Sequence, residues 1–166
     1  MRYELKQEFP YSLATVLKAR TLRYEKIQDQ PGLNAQELLS VEHDGPVVIT
    51  RRRFRLGQAI PDIVKKMVPE KMLEMIDTNY FNTESHLSKF TMHSEYAPEK
   101  VKITAVCPYL AVSPSLTKRE YEVKVDVSVP LIASALAKAI AESHRNALIK
   151  DYEILLSICE SLEGGD

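Results

Sequence analysis

Two polar residues, His144 and Asp151, interrupt an otherwise apolar stripe near the end of the chain. They are seven residues apart, so on a helix they lie on one side, about two turns or roughly 10 Å from each other. At that spacing the two side chains do not bond directly, and a ligand, a water molecule or a third side chain fits between them. Each is either a core polar group that bonds a strand or a buried water, or part of a cavity wall that orients the polar end of an apolar ligand.

Catalysis by this pair is a third alternative. A histidine with a pKa near neutrality can act as a general base, but no other residue in the sequence completes a triad with it. The chain also lacks the GxGxxG, P-loop and GxSxG motifs of nucleotide-binding proteins and hydrolases. Its histidines are scattered, and Cys107 and Cys159 have no CxxC or HxxxH partners. We therefore predict no catalytic residue, no metal site and no cofactor.

Residues 51–55, with the sequence RRRFR, form the second polar feature. On a strand, neighbouring side chains point to opposite faces, so Arg52 and Phe54 share one face and the other three arginines share the opposite one. We interpret the face with three arginines as a solvated outer surface that pairs with acids on neighbouring strands. If Phe54 faces the core, Arg52 does too, and a buried guanidinium requires an anionic partner. That partner is either Asp151, in a structural ion pair, or a carboxylate or phosphate on a ligand.

An apolar pattern also marks the connection from Gly57 to Pro69. If Pro61 starts a short helix there, the apolar residues form one stripe. The stripe consists of Ile60, Ile63, Val64, Met67 and Val68. Such a segment is a flap packed on the core, a mobile lid over a cavity mouth, or a segment that touches a membrane for ligand loading. The predicted lid residues are Ile60, Ile63 and Met67.

The helix that carries His144 and Asp151 is predicted from about residue 130 to residue 162. From Pro130 onward this stretch has no glycine and no second proline, and residues that favour helix dominate it. About 30 residues at 1.5 Å each give a length of roughly 45 Å, so the helix needs a large surface to lie on. Ile140 and Ala147 fall in the same apolar arc, and we expect them to line the same wall as the two polar residues.

Strands supply that surface. Alternating apolar and polar residues, bounded by turn residues, predict strands at approximately residues 2–9, 35–43, 47–56, 71–81, 86–96, 101–110 and 116–129. Ser12 is expected to cap a short helix that ends at Lys18 or Ala19, with a second helical turn over residues 20–27. We predict an α+β fold in which a curved antiparallel sheet of about six to seven strands wraps around the long C-terminal helix and encloses a cavity.

Length and composition narrow the possible classes of protein. The 166 residues suit one domain with a sizeable core, so a single domain over residues 1–166 is predicted. A formal net charge of −1 gives no reason to expect nucleic acid as a partner. The N-terminus lacks the apolar run of a signal peptide, and no stretch approaches the roughly 18 apolar residues of a membrane helix. These features predict a cytoplasmic location and leave the oligomeric state open.

The order of elements and one motif resemble a known superfamily. The motif is Val127-Ser128-Val129-Pro130-Leu131-Ile132, followed by Leu136, Ile140-Ala141-Glu142 and Asp151-Tyr152. It looks like a bacterial branch of the START-related superfamily, which shares the helix-grip fold with birch-pollen-type allergens and polyketide cyclases. The resemblance implies a cavity for a hydrophobic ligand and brings no universal catalytic motif.

Three functions from different classes follow from these observations. The first is binding or carriage of a hydrophobic small molecule or lipid in a cavity between the sheet and the C-terminal helix, with a transient membrane contact as an accompanying possibility. The second is a cyclase- or hydratase-like enzyme that uses histidine, aspartate and arginine in that cavity. The third is a protein-interaction module with a collapsed cavity. The predicted ligand-binding residues are His144, Asp151, Arg52, Phe54, Ile140 and Ala147.

Overall fold

The computed structural model describes residues 1–25, 36–56 and 60–164. Within these ranges seven strands form one sheet in the spatial order β1-β7-β6-β5-β4-β3-β2, and every neighbouring pair is antiparallel. The strands are β1 (Arg2–Phe9), β2 (Glu37–Asp44), β3 (Val47–Arg55), β4 (Glu74–Asn82), β5 (Leu87–Ser94), β6 (Val101–Ser113) and β7 (Leu116–Val127). The helices are α1 (Leu13–Glu25), α2 (Asp62–Lys65) and α3 (Ala133–Glu163). The predicted α+β helix-grip fold is confirmed.

Strands β2 to β7 form a meander, in which short connections join all consecutive strands except β3 and β4, and the segment between those two contains α2. The turn between β2 and β3 contains Gly45 at a φ of 56°, a left-handed conformation that glycine adopts without steric cost. Strand β1 then pairs with β7 over its whole length, from Arg2 opposite Lys124 to Phe9 opposite Thr117. The two ends of the described sheet are therefore β1 and β2.

Helix α1 is continuous where the sequence predicts a short helix and a second turn. The Ser12 hydroxyl accepts a hydrogen bond from the Thr15 backbone N–H at 3.2 Å, as expected of an N-terminal cap. The helix then runs without interruption to Glu25. Residues 26 and 27, the end of the predicted second turn, lie outside the described residues.

Helix α3 starts three residues later than predicted. Leu131 has a φ of 70°, a left-handed conformation that is rare for a bulky residue, and Ile132 precedes the first helical residue. The helix packs against β7, β1 and α1. Among helices in the described ranges, none combines the length and the apolar character that a membrane crossing requires.

The buried line on α3 winds around the helix. Leu136, Ile140 and His144 are buried at intervals of four residues, and such a row inclines to the helix axis because 3.6 residues make a turn. Ala147 lies beside this row and is exposed. The expectation that Ala147 lines the inner wall is therefore wrong.

Candidate functional site

Arg52 lies on the inner face of the sheet, the side that packs against α1 and α3. Its side chain is 6% exposed, and its guanidinium carbon lies 4.4 Å from the centre of the Tyr24 ring on α1. Its Nη2 donates to the Tyr24 carbonyl at 3.5 Å, the outer limit of a hydrogen bond. Its Nε is buried and has no hydrogen-bond partner within the described residues. Arg52 thus faces inward as predicted and keeps an unused donor.

The other arginines of residues 51–55 lie on the outer face, where each has an acidic partner. Arg51 pairs with Glu42 of β2 at 2.8 Å. Arg53 binds one carboxylate on each side, those of Glu37 and Glu95. Arg55 pairs with the carboxylate of Glu70. The interpretation of this face as a solvated surface of ion pairs is confirmed.

Arg119 on β7 is a buried arginine that the sequence prediction missed. It is 1% exposed, and its Nε and Nη2 donate to the Gln7 side-chain oxygen at 2.8 and 2.6 Å. Its Nη1 donates to Asp151 of α3 at 3.0 Å. It stands on the apolar side of an alternating strand, beside Tyr121, and this position is the signal from which it was predictable.

Asp151 connects three elements through two arginines. Besides Arg119 it accepts a hydrogen bond from Arg23 Nε of α1 at 3.2 Å. Arg23 is 5% exposed, and its Nη1 is buried without a partner in the described part of the chain. Of the two partners considered for Arg52, Asp151 is not the one, because its carboxylate instead binds Arg23 and Arg119.

Two further charged residues, Asp77 and Arg20, lie near Arg52 on the inner side of the sheet. Asp77 of β4 lies directly opposite Arg52 in the β3–β4 register. Burial raises the pKa of its carboxyl to about 7, although the nearby Arg52 charge acts in the opposite direction. Arg20 of α1 donates to the Asn79 side-chain oxygen at 3.2 Å, and its guanidinium also lies 4.5 Å from the centre of the Tyr24 ring.

Positive charge exceeds negative charge in this region. We call its four arginines the arginine cluster: Arg20, Arg23, Arg52 and Arg119. The carboxyl groups that the described elements bring to them are Asp151, which two of the arginines share, and Asp77, whose pKa burial raises to about 7. Guanidinium groups in a site of low dielectric bind carboxylates and phosphates strongly. The arrangement is therefore suited to holding an anion.

His144 lies apart from the arginine cluster. Its Nδ1 shares a hydrogen bond of 2.5 Å with the Tyr3 hydroxyl of β1, and its ring centre lies 5.5 Å from that of Phe90. Burial lowers the pKa of His144 to about 4 and raises the pKa of the Tyr3 hydroxyl. Both groups are therefore neutral at pH 7. His144 and Asp151 therefore do not share a partner: His144 bonds Tyr3 of β1, and Asp151 bonds Arg119 of β7.

The other predicted ligand-binding residues also lie in different places. Ile140 is fully buried in the contact between α3 and the sheet. Phe54 is half-buried on the inner face, two residues from Arg52. Beside it on β2, Leu38 lies opposite Arg52 and Val41 lies opposite Thr50. Leu38 and Val41 are 41% and 50% exposed, so this end of the inner face is an uncovered apolar surface next to Arg52.

Side chains fill the middle of the contact between α3 and the sheet, where the sequence places a cavity. An open depression of about 410 Å³ lies near the start of α3. Another of about 540 Å³ lies against β1, β5, β6 and β7, and the side chains that alternate toward it include Glu4, Lys89 and Glu122, on the outer face. The contact of α3 with the strands is filled by Leu136, Ile140 and His144. The uncovered inner surface is instead that of β2 and β3.

The predicted lid residues divide between core and surface. Ile60 is 2% exposed, whereas Ile63 and Met67 are 72% and 55% exposed. Val64 and Val68, each four residues after the preceding buried residue, are buried as well. One side of the segment thus packs on the core, and two apolar side chains face outward. Residues 57–59, the start of this predicted segment, lie outside the described residues.

Several solved structures share this fold. The aromatase/cyclase Zhui from Streptomyces sp. R1128 is 10% identical, with a TM-score of 0.62 over 96% of this chain and 93% of that one. A START superfamily protein from Mycobacterium smegmatis is 12% identical, with a TM-score of 0.57 over 97% and 98%. Norcoclaurine synthase from Thalictrum flavum is 14% identical, with a TM-score of 0.50 over 89% and 86%.

Sequence comparisons place the chain more narrowly. No curated protein matches it in sequence. A family model described as "Protein of unknown function (DUF2505)" matches residues 4–157. Since that match covers most of the chain, and the fold is that of the START superfamily and its helix-grip relatives, the protein belongs to the DUF2505 family.

Proposed function

We propose that the protein binds a hydrophobic small molecule or lipid on the inner face of the sheet, where β2, β3 and β4 meet the end of α1. One observation carries this proposal: apolar side chains on the inner face of β2 are exposed beside buried polar atoms that have no partner among the described residues. Leu38 and Val41 are about half exposed, and the neighbouring Arg52 Nε is unsatisfied within the described residues. Contiguous exposed apolar patches often mark binding sites, and buried polar atoms in native proteins nearly always have a partner, so a bound ligand accounts for both features.

The fold likeness supports the same proposal. The START-related superfamily implies an interior that receives a hydrophobic ligand, and this chain shares its sheet and long C-terminal helix. The site we propose lies toward β2 and β3, because side chains fill the contact between α3 and the strands β1 and β7.

Binding is favoured over catalysis by the partners of the two candidate catalytic residues. His144 is held by Tyr3 and stays neutral at pH 7. Both carboxylate oxygens of Asp151 already accept hydrogen bonds, from Arg23 and from Arg119. A general base must be free to reach a substrate proton, and neither residue meets that condition.

Native mass spectrometry of the protein purified from its natural host tests the proposal. We expect an added mass of one small apolar molecule, which extraction with organic solvent removes. Val41→Asn should reduce its occupancy, because it places a polar group on the apolar surface. Val106→Asn is the matched control, since Val106 is a similarly exposed valine, 39% exposed, on the outer face. A protein that carries no added mass and binds no apolar dye would contradict the proposal.

A further inference from the structure

We propose that the ligand of this site carries an anionic group, a carboxylate or a phosphate, on an apolar body, and that Arg52 and Arg23 bind that group. This inference rests on the proposed function and adds the chemical class of the ligand.

The first support is the balance of charge. Within the described residues, the charged side chains that face this interior are Arg20 and Arg23 from α1, Arg52 from β3, Asp77 from β4, Arg119 from β7 and Asp151 from α3. Four guanidinium groups thus face two carboxyl groups. Like charges lie close together, since Arg20 and Arg52 both lie within 4.5 Å of the centre of the Tyr24 ring. Buried charge without a counterion is costly, and a bound anion removes that cost.

The second support is the set of unused donors. Arg119 has all three of its guanidinium nitrogens bonded, to Gln7, Tyr109 and Asp151, so it positions Asp151 and has no role toward a ligand. Arg23 Nη1 and Arg52 Nε are buried donors that have no acceptor in the described structure. A buried donor without an acceptor costs free energy. Carboxylate and phosphate oxygens supply several acceptors in one compact group.

The third support is the surface next to these donors. Phe54 follows Arg52 by two residues on the same face, and Leu38 lies opposite Arg52 on β2. Val41 extends this apolar surface along β2. An anion with an apolar body fits both parts at once, whereas a free inorganic anion leaves Leu38 and Val41 uncovered.

Asp77 makes the binding dependent on pH. It lies opposite Arg52, and it changes from neutral to charged near pH 7. When it is charged it competes with the ligand for Arg52, so a carboxylate ligand, which stays ionised over this range, should bind more weakly at pH 8 than at pH 6. Among the other titratable groups here, burial raises the pKa of Tyr24, Tyr121 and Cys107, so they stay neutral over this range. Asp77→Asn should strengthen binding at pH 8 and flatten the dependence.

Displacement of a fluorescent apolar dye by four probes tests the inference. The probes are a long-chain fatty acid, an alkyl phosphate of the same length, the matching alcohol and acetate. We expect one of the two long-chain anions to bind wild-type protein at least about tenfold more tightly than the alcohol, as one charged hydrogen bond provides. Arg52→Met should reduce that difference severalfold, because it leaves Arg23 alone to bind the anionic group. Arg51→Met, at the neighbouring position on the outer face, is the matched control and should preserve it.

The outcomes separate the two proposals. Equal binding of the alcohol and both long-chain anions would overturn the anionic ligand and leave the proposed function intact. Acetate that binds as tightly as the fatty acid would overturn the apolar body. Failure of the dye and all probes to bind folded protein would overturn the proposed function itself. The comparison of probes in wild-type protein decides the inference even if a variant fails to fold.

Discussion

The two faces of β3 place neighbouring arginines in opposite electrostatic settings. On the outer face, Arg51 and Arg53 bind glutamates of β2 and of the segment after β5 while staying 39% exposed. On the inner face, Arg52 is buried with one long hydrogen bond and no carboxylate partner among the described residues. Water screens the outer charges, whereas the inner charge depends on what is placed beside it. The alternation of the strand therefore places like residues of one run in two different electrostatic environments.

Removal of Asp151, the counterion that Arg23 and Arg119 share, should cause the largest loss of stability. Asp151→Asn leaves Arg23 and Arg119 without their carboxylate, and breaking a buried ion pair typically costs about 3–5 kcal/mol of unfolding free energy. Chemical denaturation measures this change. Glu42→Gln, which removes the counterion of Arg51 on the outer face, should cost less than about 1 kcal/mol. Equal losses in the two variants would show that the two faces do not differ in this way.

Two inner arginines should respond differently to the same substitution. Arg119→Met leaves the Gln7 oxygen and one Asp151 oxygen without a donor and should lower the free energy of unfolding by about 3 kcal/mol. Arg52→Met removes a buried charge without an ion pair and should leave the stability unchanged or raise it. Urea denaturation of both variants gives the comparison. If Arg52→Met were the more damaging variant, Arg52 would be a structural residue and a poor candidate for ligand binding.

Asp77 and His144 should give opposite dependences of stability on pH. The folded pKa of Asp77, about 7, lies above its ordinary 3.8, so its contribution to stability falls as the pH rises from about 4 to 7. The folded pKa of His144, about 4, lies below its ordinary 6.5, so its contribution rises from about pH 4 to 6.5.

Melting temperature as a function of pH separates these two contributions. Relative to wild type, Asp77→Asn should make stability rise more steeply with pH over this range. His144→Gln should make it rise less steeply or fall. Identical profiles for the two variants would contradict the assigned protonation states.

The smallest expected effect concerns the hydrogen bond between β1 and α3. Tyr3→Phe removes the partner of His144 Nδ1 and should lower the unfolding free energy by about 1 kcal/mol. Tyr96→Phe is the control, because Tyr96 is 63% exposed. Equal effects of the two substitutions would mean that the buried bond adds nothing to stability.

The sequence predicts the faces of strands better than the partners of side chains. The period of two assigns Arg52 and Phe54 to one face, because a strand has only two. The partner of Asp151 was not predictable in this way, since it depends on how α1 and β7 approach α3. The mistaken position of Ala147 has a related cause: a helical wheel assumes a straight line of contact, and the buried row on α3 winds around the helix.

The same limit explains helix α1. Its sequence was divided near Ala19 on local grounds, but a continuous helix places Arg23 one turn after Ala19, where its guanidinium bonds Asp151 of α3. Tertiary contacts of this kind override local preference. The burial of Arg119 was predictable from the sequence, because an arginine on the apolar side of an alternating strand is unusual.

The most direct test of the arginine cluster is the identity of the molecule that remains bound through purification from the natural host. Organic extraction followed by mass spectrometry in negative-ion and positive-ion modes compares wild-type protein with Arg52→Met and Arg51→Met. We predict an acidic molecule with an apolar body that accompanies wild-type protein and Arg51→Met and is depleted in Arg52→Met. A neutral molecule retained equally by all three proteins would contradict the account.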